Sequence, residues 1–177
     1  PLIAFTGQMD YRPNVEAVVR FARDTLPLIR ARRRDARFAI VGRAPAAEVR
    51  ALTRQAGVIV TGEVPDIRPW LAAADIVVAP LAVARGVQNK LLEAMAMARP
   101  VVASSAAAEG LDVIADRELL IADGAPAEAG AILTLLADPT RAEAIGMAAR
   151  ARMVSDYGWP ARLAVLPALL GLDAVPA

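Results

Sequence analysis

The sequence predicts a doubly wound α/β domain whose parallel sheet is covered by helices on both faces, as in Rossmann-like folds. Short apolar segments without polar alternation are separated by helical patterns, which is typical of strands that are buried on both sides. The 177 residues suit one domain, and with 56% apolar but only 4% aromatic residues the core must be built from Ala, Val, Leu and Ile. In this fold class, ligands bind at the carboxyl ends of the strands.

In the first half of the chain, strand and helix patterns alternate. The first predicted strand covers residues 2–6 and ends at Gly7, and Asn14, a favoured capping residue, is predicted to begin a helix with apolar residues at 15, 18, 19 and 22. Pro27 should kink or interrupt this helix, which then resumes toward residue 34. Strands are predicted at 38–41 and 58–61, and a short helix at 48–56 that ends at Gly57 lies between them.

The second half continues the alternation. A turn at 64–66 is predicted to start a helix that runs through residue 73, and the apolar strand at 76–79 is stopped by Pro80. A helix that starts at Asn89 separates this strand from another at 100–103, and a last strand is predicted at 118–122. Two helices, at 126–137 and 140–154, complete the pattern.

The stretch AVARGVQNKLLEAMAMAR, residues 82–99, carries the main functional signal. Asn89 is predicted to cap a helix of strong helix formers. Lys90 at its first position, and Arg85 four residues before the cap, lie where the helix dipole disfavours cations. Free N–H groups beside Gly86 and two cations form a site for a phosphate or diphosphate. Lys90 is the only lysine among twenty basic residues, which favours this interpretation over a lysine that extends into solvent.

Glu93 lies three residues after Lys90, on a neighbouring position of the first turn. It can be an ordinary acidic residue that complements the helix dipole. The functional interpretation is that its carboxylate accepts hydrogen bonds from a pair of hydroxyls, such as a ribose diol, next to the phosphates.

The segment ARGVQNKLLEAMAMARPVVAS resembles the signature of GT-B glycosyltransferases, particularly the family 4 group that includes bacterial exopolysaccharide sugar transferases. The resemblance implies that the chain is the C-terminal half of a GT-B fold, that the loop and helix start bind the donor diphosphate, and that Glu93 holds the nucleotide ribose. In the family motif a first glutamate precedes the second by eight positions. Arg85 stands there in this sequence, a departure that concerns sugar contacts and stereochemistry.

Two further segments are similar to the same family. FTGQMDYRPNVEAV resembles its first strand, glycine loop and helix, which implies donor contacts at Gly7 and Gln8. TGEVPDIRPWLAAADIVVAPL resembles a later segment, which implies that the backbone around Val64 faces the nucleobase. For Gly42 we favour simple turn geometry, and for Glu109 a place in a surface loop over a sugar contact.

Composition excludes several kinds of chemistry. The chain has no cysteine and no histidine, which removes disulfides, the usual zinc sites, thiol nucleophiles and a Ser-His-Asp triad. P-loop and G-x-G-x-x-G motifs are missing, and so is the Asp-x-Asp pair of the other major glycosyltransferase fold. We therefore expect no metal and no cofactor. The net charge of +1, without a basic stripe, argues against a nucleic-acid partner.

The sequence has no apolar run long enough for a membrane span and no signal-peptide pattern, so we expect a cytoplasmic location. The arginine cluster at 30, 32, 33, 34 and 37 is interpreted as a solvated helix end, and the alternative is peripheral contact with an anionic membrane on its inner face. Because the sequence starts at Pro1, with no initiator methionine, we expect a fragment of a longer protein, and the family resemblance implies that the part it lacks is an N-terminal acceptor domain. An apolar stripe should pack on that domain or cause self-association: Trp159, Leu163, Leu166, Leu169 and Leu170.

Taken together, residues 1–177 are expected to form one domain that binds a nucleotide sugar as donor. The family resemblance implies a metal-independent glycosyltransferase that uses a saccharide or lipid-linked acceptor in exopolysaccharide biosynthesis, and we expect this domain to be inactive alone. Arg85 and Lys90 would neutralise the leaving diphosphate and Glu93 would orient the nucleoside, with Gly86 and Asn89 as further donor contacts. The alternatives are a nucleotide-binding regulatory or inactive scaffold module, and a sugar-nucleotide epimerase of similar fold.

Overall fold

Six parallel strands form one sheet in the order β3-β2-β1-β4-β5-β6 in the computed structural model, which describes residues 1–170. The strands are β1 (Leu2–Thr6), β2 (Arg37–Val41), β3 (Val58–Gly62), β4 (Ile76–Ala79), β5 (Val101–Ala103) and β6 (Leu120–Ile121). This parallel, helix-flanked sheet confirms the predicted fold class.

Helices connect all the strands and follow the last one. They are α1 (Arg12–Arg20), α2 (Leu26–Arg32), α3 (Ala47–Ala51), α4 (Arg68–Ala73), α5 (Asn89–Ala96), α6 (Ser105–Ala108), α7 (Ala125–Ala137), α8 (Pro139–Asp156), α9 (Trp159–Leu163) and α10 (Leu166–Leu169). A π-helical turn at Phe21–Thr25 joins α1 to α2, and a 3-10 turn at Leu52–Arg54 extends α3.

The core is built mainly from alanine and aliphatic side chains on both faces of the sheet, as the composition predicted. The few aromatic residues that are buried lie at its centre, where the rings of Phe21 and Phe38 are 4.6 Å apart and tilted by 44°. Offset, tilted rings at this separation add to the stability that their burial provides. The core therefore packs the π-helical turn directly against β2.

The strand order reverses direction between β1 and β4. The chain moves outward from β1 through β2 to β3, then returns to place β4 on the other side of β1, where Ile3 pairs with Ile76. Loops that leave the carboxyl ends of β1 and β4 thus diverge to opposite sides and leave a crevice between them. This crevice is where the glycine after β1 and the start of α5 meet.

Both predicted helix caps are wrong. Helix α1 begins at Arg12, with Tyr11 at the N-cap, so Asn14 lies inside the helix. The early start is favoured by Pro13, which lacks an N–H and therefore suits the first turn of a helix. Helix α5 has Gln88 at the N-cap and Asn89 as its first residue. Neither N-cap residue forms a side-chain cap, and local propensity placed the two caps too late, by three residues for α1 and by one residue for α5.

Pro27 interrupts the first long helix as predicted. The N–H of Leu26 donates to the carbonyl of Phe21, five residues back, which forms the π-helical turn before α2. A proline cannot donate to the carbonyl four residues before it, so a wider turn accommodates its ring. Helix α2 then ends at Arg32, earlier than predicted.

The last strand is shorter than predicted. Glu118 is not part of β6, because its carboxylate accepts a 2.8 Å hydrogen bond from the Ile114 N–H and pairs with Arg152 at 3.2 Å. Ala122 lies just beyond the strand. The N-terminal end of the predicted strand is thus used for loop and helix contacts, whereas the Ala122 N–H still donates to the carbonyl of Ala103 in β5, and two residues form the strand itself.

Two helical glycines provide a matched test of the packing. A Cβ on Gly146 in α8 would overlap the carbonyl oxygen of Ala98, whereas a Cβ on Gly130 in α7 would meet nothing within 4 Å. Gly146→Ala should therefore lower the free energy of unfolding by about 1–3 kcal/mol, and Gly130→Ala should raise it by about 0.5–1 kcal/mol. Urea unfolding of both variants measures these changes. Equal changes in the free energy of unfolding would contradict the close packing of α8 on the turn at Ala98, after α5.

The C-terminal helices leave their apolar stripe exposed. Trp159 and Leu169 are 78% and 77% exposed, and Leu163, Leu166 and Leu170 are exposed as well. A patch of this kind favours association. We predict concentration-dependent self-association in sedimentation velocity that decreases when the chain is truncated after Tyr157, and an unchanged monomer fraction after truncation would contradict it. No helix among residues 1–170 is long and apolar enough to span a membrane.

Candidate functional site

A cavity of about 480 Å³ occupies the crevice at the carboxyl ends of the first three strands. Its walls come from the loops after β1, β2 and β3 and from the first turn of α5. The lining residues are Thr6, Gly7, Gln8, Asn14, Val41, Gly42, Arg43, Glu63, Val64, Ile67, Val87, Gln88, Asn89, Lys90 and Glu93. Backbone groups, amides and charged side chains therefore share one concave surface.

Backbone hydrogen bonds between successive loops build one wall of the cavity. The N–H of Gly7 donates to the carbonyl of Val41 at 3.0 Å, and the N–H of Gly42 donates to the carbonyl of Gly62 at 3.2 Å. Each loop thus holds the next, so the wall is fixed by main-chain atoms and does not depend on side-chain rotamers.

Glycine is needed at two points of this wall. A Cβ on Gly42 would overlap the carbonyl oxygen of Gly7, and a Cβ on Gly7 would lie 2.8 Å from Nδ2 of Asn14. Both residues also have positive φ, which disfavours other side chains. Gly42 is therefore more than the turn residue that the sequence indicated, because it lets the loop after β1 lie directly on the loop after β2.

Lys90 reaches into the cavity, so the alternative in which it extends into solvent is wrong. Its Nζ donates a 3.2 Å hydrogen bond to Oδ1 of Asn14 and lies 5.2 Å from the ring centroid of Phe5. Burial lowers the pKa of Lys90, an effect that the nearby Glu93 carboxylate partly opposes. Within residues 1–170, no carboxylate pairs with this ammonium.

Glu93 lies one turn further along α5 and lines the same cavity. Desolvation raises the pKa of Glu93, and the charge of Lys90 partly lowers it. The two side chains place a cation and a hydrogen-bond acceptor side by side. This arrangement can hold a ligand that carries both a phosphate and a pair of hydroxyls.

The start of α5 adds main-chain donors to the same wall. The first N–H groups of a helix have no intrahelical acceptor, and their partial positive charge attracts anions. Asn89 and Lys90 form this first turn, and both line the cavity. The helix dipole and the Lys90 ammonium thus act on the same region of the cavity.

Most of the predicted site residues lie together here, but Arg85 and Gly86 do not. They line a separate hollow of about 370 Å³ with Glu109 and Gly110. The amide of Gln88 donates to the carbonyls of Arg85 and Gly86 at 3.1 and 3.3 Å, which folds this segment back on itself. Gly110 packs so closely on Gly86 that a Cβ would overlap its carbonyl.

The cavity also contains residues that no sequence motif indicated as site residues, among them Asn14, Arg43, Glu63, Ile67 and Thr6. What they share in the sequence is their position, because four of them lie just after a strand or at the start of the helix that follows it. Nη2 of Arg43 donates to Oε1 of Gln8 at 3.0 Å, which ties the second loop to the first. In the described part of the chain, no group of three or more acidic, histidine or cysteine side chains is arranged to hold a metal ion.

The family model described as "Glycosyl transferases group 1" matches residues 1–138. Among solved structures, the chain resembles sucrose-phosphate synthase from Thermosynechococcus elongatus, with 24% identity and a TM-score of 0.74 over 98% of this chain and 46% of that one. It also resembles HepE from Anabaena, solved in complex with UDP and glucose, with 18% identity and a TM-score of 0.74 over 98% of this chain and 48% of that one.

A third structure is of similar size to this chain. It is the C-terminal domain of the group 1 family glycosyl transferase LpcC from Francisella tularensis, with 20% identity and a TM-score of 0.71 over 89% of this chain and 86% of that one. The chain thus spans less than half the length of the first two structures but most of this isolated domain. A comparison with curated protein sequences finds no match.

Proposed function

Because the chain belongs to the group 1 glycosyl transferases, whose GT-B fold its parallel sheet matches, we propose that it forms the domain that binds the donor, a nucleoside diphosphate sugar. The sugar would pass to a saccharide or lipid-linked acceptor, as in exopolysaccharide biosynthesis. The acceptor site and any general base would lie in an N-terminal domain. The enzyme would act in the cytoplasm or on the inner face of the membrane.

One observation carries this proposal: the Lys90 ammonium lies in the cavity at the start of α5, and no carboxylate among residues 1–170 is paired to it. A diphosphate would supply the missing negative charge. When the bond between sugar and phosphate breaks, negative charge grows on the leaving diphosphate, so the ammonium and the helix N–H groups stabilise the transition state more than the ground state. No metal is needed for this neutralisation.

The rest of the cavity suits the nucleoside. Glu93 would accept hydrogen bonds from the two ribose hydroxyls, and the backbone around Val64, beside Ile67, would face the base. Gly7 and Gln8 would let main-chain groups approach the phosphates. For Arg85 and Gly86 to contact the diphosphate, as we also propose, the segment before α5 would have to move out of its separate hollow.

A conservative change tests the role of Glu93. Glu93→Gln should weaken a ribose-containing nucleoside diphosphate by about 10-fold or more, because the charged acceptor is lost, a difference of roughly 1.5–3 kcal/mol. The 2′,3′-dideoxy counterpart should bind the variant and the native chain equally. Isothermal titration calorimetry measures both, and equal losses for the two ligands would contradict the ribose contact.

The proposed function is tested by titrating the chain with UDP, GDP and ADP, with their nucleosides, and with their glucose conjugates, in the presence and absence of EDTA. We expect one diphosphate series to bind, more tightly than its nucleoside, and EDTA to have no effect. A further gain from the sugar favours a transferase over a nucleotide-binding regulatory or scaffold module. Absence of binding throughout the panel would contradict the proposal.

A further inference from the structure

Asn14 connects the two sides of the crevice. It lies in the first turn of α1, after β1, yet its Oδ1 accepts a hydrogen bond from Lys90 in α5, after β4, 76 positions along the chain. The residue is only 5% exposed, which is unusual for an asparagine unless its amide is bonded. It is thus a buried polar bridge between α1 and α5, the helices that follow the two strands at which the strand order reverses.

The orientation of this amide is determined by a second contact. Nδ2 of Asn14 donates a 2.9 Å hydrogen bond to the carbonyl of Gln8, so the amide nitrogen faces the glycine loop and the oxygen faces Lys90. The flipped amide would place an oxygen against a carbonyl and an NH₂ group against an ammonium, which are both unfavourable. The glycine loop therefore sets the position of the acceptor that holds Lys90.

The neutrality of this partner has a consequence for the charge in the cavity. A carboxylate at the same place would form an ion pair and cancel the positive charge of Lys90. The amide oxygen holds the lysine side chain in place before a ligand binds, which reduces the rotamer entropy, up to about 2 kcal/mol, that is lost on binding. Because the amide is neutral, the positive charge of Lys90 remains available to a ligand. The ammonium can donate three hydrogen bonds, and Asn14 is its one side-chain acceptor among residues 1–170, so two N–H groups remain for a ligand.

We propose that Asn14 is a positioning residue that holds the Lys90 ammonium at the diphosphate end of the cavity without neutralising it. The inference rests on the proposed function, because it assigns a diphosphate to this end of the cavity. It makes Asn14 responsible for affinity toward the phosphates, although the residue itself does not have to touch the ligand.

The charged groups around Lys90 come from three elements. Glu93 lies on the same helix, Arg43 follows β2 and Glu63 follows β3, and all of them line the cavity. The phenyl ring of Phe5 in β1 is uncharged. A carboxylate introduced at position 14 would be the group closest to the ammonium, so it should dominate any change in the titration of Lys90.

The test compares Asn14→Asp with the native chain, using UDP, GDP and ADP and their nucleosides as ligands in calorimetry. For the diphosphate that binds the native chain most tightly, we expect Asn14→Asp to reduce affinity at least 10-fold, because the new carboxylate neutralises Lys90, and the nucleoside to be within twofold of native. Thr134→Glu, an exposed change on α7 that adds the same charge outside the cavity, is the control and should leave both affinities unchanged.

The pH dependence separates positioning from a merely structural role. In the native chain, diphosphate affinity should fall as pH rises through the lowered pKa of Lys90. In Asn14→Asp the carboxylate raises that pKa, so the fall should move to higher pH. Asn14→Leu, which removes both hydrogen bonds without adding charge, should lose diphosphate affinity with no such upward move.

Native diphosphate affinity and pH profile in Asn14→Asp would overturn the inference while leaving the proposed function intact. Equal losses of diphosphate and nucleoside would also overturn it, because they would indicate a distorted cavity. If the native chain binds none of the three diphosphates, both the inference and the proposed function fail.

Discussion

Replacing Lys90 with alanine is expected to weaken a nucleoside diphosphate by about 10- to 100-fold and to leave the nucleoside almost unaffected, because a hydrogen bond to a charged group contributes roughly 1.5–3 kcal/mol. The ammonium is partly desolvated and has no carboxylate partner among residues 1–170, so its interaction with phosphate is weakly screened. Calorimetric titration with both ligands measures the difference.

Arg141→Ala provides the control for Lys90→Ala, because it removes one positive charge from the exposed surface of α8 and does not touch the cavity. Its diphosphate affinity should stay within twofold of native. Equal weakening of diphosphate and nucleoside by Lys90→Ala would place the phosphates elsewhere.

The largest effect on stability is expected at Arg20. Its guanidinium forms a two-point ion pair with Glu128, in which Nη1 lies 3.1 Å from Oε2, and it also donates to the carbonyl of Pro80 at 3.2 Å. The Glu128 side chain is 3% exposed and accepts a further hydrogen bond from Thr25 at 2.6 Å. The pair joins α1 and α7 to the chain just after β4.

Arg20→Ala should lower the free energy of unfolding by about 2–4 kcal/mol, because it leaves the Glu128 carboxylate buried without its counterion. The range extends down to about 2 kcal/mol because Arg20 is partly exposed to solvent. A loss of this size is a large part of the stability of a typical domain. Urea unfolding measures it. The double variant Arg20→Met with Glu128→Leu should recover most of the loss, because no buried charge remains. A loss below about 0.5 kcal/mol in Arg20→Ala would mean that water screens the pair.

The fold was predictable because its signals are local. Apolar segments without alternation indicated strands buried on both faces, and the strands at 2–6 and 76–79 have the predicted bounds. The reversal of strand order between β1 and β4 was not predicted, because it depends on pairing between distant positions such as Ile3 and Ile76. Helix starts were less predictable, since Pro13 suits the first turn and the first helix begins at Arg12, two residues before Asn14.

In the candidate site, too, features with a local sequence signal were predicted and features that depend on long-range contacts were not. Lys90 could be singled out because a cation at a helix start conflicts with the dipole, and that conflict is visible in a few residues of sequence. The hydrogen bond between Asn14 and Lys90 joins positions 76 apart, and no local pattern indicates it. The hollow that holds Arg85 depends likewise on the packing of Gly110 on Gly86, a contact between distant loops.

Binding of a nucleoside diphosphate in the cavity at the start of α5 is tested most directly by amide chemical shifts. The nuclear magnetic resonance spectrum of the labelled chain should be followed during titration with UDP, GDP and ADP. For the diphosphate that binds, we expect saturable shifts centred on the amides of Gly7, Gln8, Asn89 and Lys90. Shifts confined to another surface, such as the groove between α2 and α7 around Leu28 and Leu133, would contradict it.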